Sequence, residues 1–224
     1  LGQVIESWDF EKKTIPGKEE INEKMIRVGY RNIILDRGQR TVFLKKGGMQ
    51  INLGGILKGY AADKAVDVLR ENGIRSGIVA IGGDIRAFGS RPGGEPWKVG
   101  VQNPRQTGKD DEILATVNLT DRAISTAGDY ERYYIRDGVR YHHILDPKTG
   151  YPAKGCRSVT VIAADGITAD GFDTGLFVLG PAKALSILGK LGLDGIVVDE
   201  DGKVFVTDGI KGSVSLRHVK AQGS

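Results

Sequence analysis

The sequence has few of the residues on which several common classes of protein depend. It contains one cysteine, Cys156, among 224 residues, so an intramolecular disulfide is impossible and a cysteine-based zinc site is disfavoured. No apolar run is long enough to span a bilayer as a helix. The 32 Lys and Arg residues are interspersed with 28 Asp and Glu, and no basic block or aromatic–basic platform occurs. This pattern disfavours a nucleic-acid-binding protein, and the net charge of +4 suits a small anionic ligand better.

The signatures of the common nucleotide-binding folds are also missing, although a related arrangement is present. A predicted strand over residues 50–53 leads into Gly54-Gly55, and an amphipathic helix follows and ends at Asn72-Gly73. Such a turn directs backbone N–H groups and the helix dipole toward a phosphate, and Lys58 adds a positive charge. The spacing matches neither Walker A nor the Rossmann fingerprint. A Gly-Gly turn by itself is weak support for a site, because most such turns only connect elements. The apolar stripe of this helix is predicted to consist of Ala61, Ala65, Val68 and Leu69.

The most informative segment is a predicted helix that carries Asp170, Asp173 and Thr174. These positions are i, i+3 and i+4, so three oxygen ligands share one helix face. Two carboxylates beside apolar neighbours repel each other and are unfavourable to bury unless a cation compensates them. Oxygen ligands favour Mg²⁺, Ca²⁺ or Mn²⁺ over zinc. The alternative is that Asp170 caps the helix and Asp173 is solvated.

Two of the three histidines, His142 and His143, lie at the end of a predicted strand before a turn rich in Pro and Gly. A histidine there can serve as a general base, a metal ligand or a hydrogen-bond partner. Because neighbouring residues of a strand point to opposite faces, one of the pair points into a site and the other faces solvent. We expect His143 to be the functional residue and His142 to face solvent.

The remaining pattern predicts an α+β fold in which mixed or antiparallel sheets pack with helices in layers. A hairpin is expected over residues 133–136 and 139–143, joined by Asp137-Gly138. No boundary or repeat interrupts the chain, so a single layered domain is predicted over residues 1–224. Further strands are predicted over residues 32–35, 41–44, 77–81, 85–90, 97–102, 113–119, 123–125, 158–163, 195–199, 204–207 and 213–216.

Four motifs in this order resemble those of the FAD:protein FMN transferase family, also called the ApbE family. The first is the glycine turn from Asn52 to Asp63, and the second is the segment from Ala80 to Arg86. The third joins Ser125-Thr126-Ala127-Gly128-Asp129-Tyr130 to His143-Ile144-Leu145-Asp146-Pro147-Lys148-Thr149-Gly150, and the fourth is Ala169-Asp170-Gly171-Phe172-Asp173-Thr174. The resemblance covers nearly the whole chain.

The resemblance implies an enzyme that splits FAD with Mg²⁺, attaches FMN to a Ser or Thr hydroxyl of a target flavoprotein, and releases AMP. Its motifs assign His143 as the base that takes the proton of the acceptor hydroxyl. They assign FAD contacts to Asn52, Lys58 and Leu145, the last through its backbone. They assign the Mg²⁺ ligands to the carbonyl of Gly55 and to the side chains of Asp170, Asp173 and Thr174.

The chain departs from the family pattern at two places. Asn52 stands where the family usually has Asp, which removes a charge but keeps a hydrogen-bonding side chain. The segment from Leu1 to Phe10 matches a region well inside the relatives, so we expect the family's N-terminal portion to be missing from these 224 residues. Some relatives are exported and lipid-anchored and others are cytoplasmic, so the compartment stays open, and membrane association is expected only through such an N-terminal anchor. The alternatives are a Mg²⁺-dependent FAD pyrophosphatase, in which water replaces the acceptor hydroxyl, an FAD-binding module without catalysis, and a structural protein.

Overall fold

The computed structural model describes residues 1–105 and 113–217, and these form two compact units. The first unit contains residues 1–53 and 131–153, and the second contains the described residues of 54–130 and those from 154 onward. The predicted single domain over residues 1–224 stays a prediction. Each unit is described by itself below.

Five α-helices and thirteen strands lie within the described residues. The helices are α1 (Gly2–Ser7), α2 (Lys18–Met25), α3 (Leu57–Glu71), α4 (Gly166–Leu179) and α5 (Pro181–Leu191). The strands are β1 (Ile33–Asp36), β2 (Thr41–Leu44), β3 (Gly77–Ile81), β4 (Asp84–Phe88), β5 (Trp97–Gln102), β6 (Ile113–Leu119), β7 (Ala123–Gly128), β8 (Tyr133–Arg136), β9 (Val139–His142), β10 (Cys156–Ala163), β11 (Asp194–Asp199), β12 (Val204–Val206) and β13 (Val214–Leu216).

The predicted α+β fold with antiparallel sheets is confirmed, and most predicted strands are present within two or three residues. The predicted hairpin turn is also present, since Asp137 and Gly138 both have the positive φ that such a two-residue turn requires. One predicted strand is wrong, because residues 50–53 form no strand and are exposed. Without a pairing partner, the alternating pattern of that segment was not enough to make a strand.

The second unit contains a six-stranded sheet in the order β12-β11-β10-β7-β4-β3, with every neighbouring pair antiparallel. A three-stranded sheet, β13-β6-β5, packs against one face of it. Alternation of side chains along each strand sends one set of residues between the two sheets. That layer is a continuous apolar core and includes Val99, Val117, Ile124, Ile162 and Ile196.

Helices α3, α4 and α5 contact the six-stranded sheet, and α4 packs on its central strands β7 and β10. Val159 and Val161 alternate with the residues of the inter-sheet core and are fully buried. The apolar stripe predicted for α3 is wrong by about one position, because its buried residues are Gly59, Ala62 and Val66. A glycine that carries no apolar side chain sets this contact face, so a hydrophobicity pattern misses it.

The first unit is built from two short helices and two hairpins, β1-β2 and β8-β9. Its core surrounds Trp8, whose ring packs with Phe10, Tyr141 and Tyr151. The Trp8 indole N–H donates to the carbonyl of Gly150 at 3.0 Å, so the buried polar atom is satisfied. Among the described residues, no helix is long and apolar enough to cross a membrane.

Candidate active site

Helix α4 begins beneath two carboxylates that satisfy its first N–H groups. The side chain of Asp165 accepts a hydrogen bond from the N–H of Thr168 at 2.8 Å. Asp63 of helix α3 accepts from the N–H groups of Gly166 and Ile167, at 2.7 and 2.9 Å. These bonds fix the start of α4 to α3, and therefore fix the positions of the residues one and two turns later.

The two helices approach closely at a pair of glycines, Gly59 and Gly166. A Cβ on Gly59 would lie 2.1 Å from the carbonyl oxygen of Gly166, so a side chain there would require the two helices to shift apart. At this crossing the N–H of Gly59, in the first turn of α3, donates to Oδ2 of Asp170 at 2.9 Å. The Asp170 carboxylate thus occupies the N-terminal end of α3, where the helix dipole stabilises negative charge.

Asp173 is held by hydrogen bonds on both of its oxygens. Its Oδ1 accepts from the backbone N–H of Thr174 and from the Thr174 hydroxyl, the latter at 3.0 Å. Its Oδ2 lies 2.6 Å from Oγ of Ser125, and the same Oγ lies 2.7 Å from Oδ1 of Asp84. A hydroxyl carries one hydrogen and can donate to one of these carboxyl groups. The second short contact therefore needs a proton on the other carboxyl group.

Burial and mutual repulsion disfavour the charged forms of Asp170 and Asp173. Burial raises the pKa of Asp173 to about 7 and outweighs the opposing hydrogen bonds from Ser125 and Thr174, and the charges of Asp170 and Asp84 add smaller contributions to the rise. Burial also raises the pKa of Asp170, against the opposing effect of the Gly59 N–H, and the charge of Asp84 adds to the rise. The residues Asp84, Asp170 and Asp173 are each at most 3% exposed.

Lys58 is the cation that accompanies this cluster. Its Nζ lies 2.9 Å from Oδ2 of Asp84, and its side chain is about half-buried, at 40% exposure. Burial acts to lower the pKa of Lys58, but its hydrogen bond to Asp84 and the charges of Asp84, Asp170 and Asp173 raise the pKa above its ordinary value. One ammonium group beside three carboxyl groups leaves an excess of negative charge when the acids are ionised.

The donor set fits a hard divalent cation. Thr174 donates its hydroxyl hydrogen to Asp173, which leaves the oxygen lone pairs of Thr174 available to a metal ion. Gly55 lies beside this hydroxyl, since a Cβ on Gly55 would be 3.9 Å from Thr174 Oγ1. No cage of three or more His, Cys, Asp or Glu side chains is formed within the described ranges. The arrangement suits Mg²⁺, which binds through one or two carboxylates and completes its coordination with waters and substrate phosphates.

The remaining predicted residues lie in the first unit. His142, which we expected to face solvent, is buried at 4% exposure, and its Nε2 lies 3.0 Å from the carbonyl oxygen of Ala153. That expectation is wrong, because the ring is covered on the face of β9 opposite to Tyr141, where it lies beside the carbonyl of Ala153. His143 follows the last residue of β9, and its Nδ1 lies 3.4 Å from the carbonyl oxygen of Arg132. Leu145 is buried and bridges to Pro152, whereas Asn52 is exposed.

Sequence reasoning gave no role to two residues that the structure brings into the cluster, Asp84 and Ser125. Both belong to segments that carry the family resemblance. The available signal was the turn before Asp84, where Gly82 and Gly83 have positive φ and the chain reverses from β3 into β4. A carboxylate directly after such a turn, at the start of a buried strand, is a candidate functional residue.

Comparison with known proteins identifies the family of the chain. The ApbE family model matches residues 1–197. This chain belongs to the ApbE family. It is 35% identical to the FAD:protein FMN transferase of Treponema pallidum over 94% of the chain, and 33% identical to that of Escherichia coli K12 over 92%. It spans 62% and 60% of the lengths of these two relatives.

Solved structures of ApbE proteins share the fold. The ApbE protein of Thermotoga maritima superimposes with a TM-score of 0.84 at 40% identity, over 93% of this chain and 68% of that protein. The flavin transferase ApbE of Vibrio cholerae superimposes with a TM-score of 0.79 at 30% identity, over 95% and 69%. The family and fold that the motifs indicated are therefore confirmed.

Proposed function

We propose that this chain carries the catalytic centre of a Mg²⁺-dependent FAD:protein FMN transferase. The observation that carries the proposal is the cluster of three buried carboxyl groups, Asp84, Asp170 and Asp173, with the ammonium group of Lys58 paired to Asp84. A protein core tolerates such an excess of acid when a cation joins it in the working state. The curated relatives that the chain matches are named FAD:protein FMN transferases, which supports the choice of substrate.

Asp170, Asp173, Thr174 and the carbonyl of Gly55 would hold the cation. When bound, Mg²⁺ would neutralise the pyrophosphate and stabilise the phosphate of the leaving AMP. Lys58 lies in the first turn of α3, where its ammonium group and the helix dipole both favour a phosphate. Asn52 and the backbone of Leu145 are assigned to FAD binding on the family motif.

The reaction that these residues would support is a phosphoryl transfer. The oxygen of a Ser or Thr hydroxyl on the acceptor protein forms a bond to the FMN phosphorus, and the bond from that phosphorus to the oxygen bridging to AMP breaks. His143 takes the proton of the hydroxyl, and AMP leaves with the bridging oxygen. A neutral imidazole is suited to this step, because its ordinary pKa is close to neutral pH.

Incubation of the chain with FAD, Mg²⁺ and a Thr-containing acceptor peptide tests the proposal. We expect AMP, measured by chromatography, and a peptide whose mass has increased by one FMN. AMP with free FMN and an unchanged peptide would instead indicate an FAD pyrophosphatase. FAD binding without AMP would indicate a binding module and would contradict the proposal, as would no binding at all.

A further inference from the structure

We propose that Asp84 and Ser125 are positioning residues that couple the cation ligand Asp173 to the phosphate-binding Lys58. Asp84 contacts Lys58 through Oδ2 and Ser125 through Oδ1, and Ser125 contacts Asp173 in turn. The inference rests on the proposed function and adds two residues to it. Neither residue is expected to touch the reacting atoms.

The sheet register places these two residues together. Ile85 pairs with Ile124 and Arg86 pairs with Ala123 between β4 and β7. One step further along the same antiparallel register, Asp84 falls opposite Ser125, on the face that α4 covers. Two neighbouring strands of the sheet, β4 and β7, therefore present a carboxylate and a hydroxyl to the helix that carries Asp173. A rigid sheet is a precise support for side chains that must orient a ligand.

The contact from Ser125 fixes the rotation of the Asp173 carboxylate. Thr174 already holds Oδ1, so Ser125 supplies the bond that holds Oδ2. Without this bond the carboxylate can rotate about its terminal bond, and its oxygens no longer face a cation in one fixed orientation. Loss of such supporting bonds lowers metal affinity by about 10- to 100-fold in characterised sites.

The contact from Asp84 fixes the ammonium group of Lys58. A lysine side chain has four rotatable bonds, and ordering it opposes ligand binding unless another group has already ordered it. Asp84 is 3% exposed and holds Nζ at 2.9 Å, so Lys58 is placed beside the cluster before FAD arrives. Loss of this contact is expected to weaken FAD binding more than it slows the chemical step.

A neighbouring hydroxyl provides a matched control. Thr126 also lies on β7, but it points to the opposite face, where its Oγ1 lies 2.9 Å from Oγ1 of Thr160. Thr126→Val removes one hydroxyl hydrogen bond from the same strand without touching the cluster. Ser125→Ala removes the bond under study, and Ser125→Thr keeps a hydroxyl at the position.

Mn²⁺ binding to the FAD-free chain, measured by electron paramagnetic resonance, tests without turnover whether Ser125 and Asp84 support the cation site. We expect the Kd for Mn²⁺ to rise about 10- to 100-fold in Ser125→Ala and in Asp84→Asn, to recover in Ser125→Thr, and to stay unchanged in Thr126→Val. Circular dichroism identifies the variants that fold, and Ser125→Cys, which keeps a small buried side chain with a weak donor, replaces Ser125→Ala if the latter does not. Mn²⁺ affinities of folded Ser125→Ala, or of Ser125→Cys in its place, and of Asp84→Asn within twofold of the unsubstituted chain would overturn the inference.

Steady-state kinetics tests the role proposed for Asp84 in placing Lys58. Asp84→Asn should raise the KM for FAD by a larger factor than it lowers kcat, whereas Ser125→Ala should act mainly through the Mg²⁺ requirement. A lower kcat with an unchanged KM in Asp84→Asn would overturn the role given to Asp84. Failure of the proposed function gives a different result, because the unsubstituted chain would then neither bind Mn²⁺ nor release AMP, and both proposals would fall.

Discussion

The carboxylate cluster of the second unit and the histidine hairpin of the first unit are built in opposite ways. In the cluster, Asp170 is bonded to Gly59, and Asp173 to Ser125, across 111 and 48 residues of sequence. In the hairpin, His142 and His143 each contact a carbonyl 11 residues away. The cluster concentrates buried charge that the fold alone does not neutralise, whereas each histidine of the hairpin lies beside a backbone carbonyl of its own unit. We therefore expect stability and function to be opposed in the carboxylate cluster and independent in the histidine hairpin.

The largest effect is expected from Asp173→Asn. The substitution keeps the shape of the side chain but removes a charge that Mg²⁺ requires, so FAD cleavage should fall by at least about 10³-fold. The metal-free variant should nevertheless melt at a higher temperature than the unsubstituted chain at pH 8, because burial of the ionised carboxylate is unfavourable. AMP release and differential scanning calorimetry measure the two effects. A variant that loses both activity and stability would show that Asp173 is structural.

The stability difference between the unsubstituted chain and Asp173→Asn should depend on pH. The pKa of Asp173 is raised from 3.8 to about 7 in the folded chain, so the folded state holds this proton more tightly than the unfolded state. The free energy of unfolding without metal should therefore fall as the pH rises from about 4 to about 7, and the fall should be smaller in Asp173→Asn, where Asp170, whose pKa is also raised by burial, still contributes. Below about pH 4 the two proteins should differ least. Saturating Mg²⁺ should reverse the loss at pH 8.

Substitution of His143 is expected to change the reaction rate, and substitution of His142 is expected to change the stability. His143→Ala should slow FMN transfer by about 10²- to 10⁴-fold with little change in the melting temperature, because His143 is at the hairpin end and lies outside the core. His142→Ala should lower the melting temperature, because it removes a buried ring and its contact with Ala153. Transfer rates with the acceptor peptide and thermal melts of both variants decide the matter. The reverse pattern would make His142 the functional residue.

Lys58→Ala tests whether the cluster depends on its lysine before any ligand binds. Loss of a charged hydrogen bond to phosphate should weaken FAD binding by about 10- to 100-fold. Stability should fall as well, because Asp84 is buried and loses its counter-charge. Fluorescence titration of FAD and thermal melts measure the two effects, and Lys64→Ala, which breaks an exposed ion pair on the same helix, is the control. Unchanged FAD affinity would exclude Lys58 from the binding site.

The smallest effect concerns the helix crossing that places Asp170. Gly59→Ala would put a Cβ 2.1 Å from the carbonyl oxygen of Gly166, so we expect a loss of about 1–3 kcal/mol in the free energy of unfolding and weaker Mn²⁺ binding. Gly175→Ala in α4 meets no atom within 4 Å and should stabilise the chain by up to about 1 kcal/mol. Urea unfolding of both variants provides the measurement. Equal stability of the two would show that α3 can shift away from α4 without penalty.

Local sequence patterns predicted the elements better than the faces that they bury. The turn residues Asp137 and Gly138 defined their hairpin because their backbone conformation is a local property. The stripe of α3 was misplaced, since Val68 is 56% exposed and Gly59 is buried. Residues 50–53 alternate as a strand does, yet they form none, because a strand exists only with a partner.

The family and the α+β class can be predicted from the sequence alone, and so can the position of Asp170, Asp173 and Thr174 on one helix face. Motif order and helical spacing are properties of the chain and need no tertiary contact. That Asp84 and Ser125 join these residues, and that His142 is buried, is seen only in the folded structure. Those facts depend on strand register and on a close approach between two glycines. Register and helix crossing are set by packing between segments that are far apart in the sequence, which no local pattern contains.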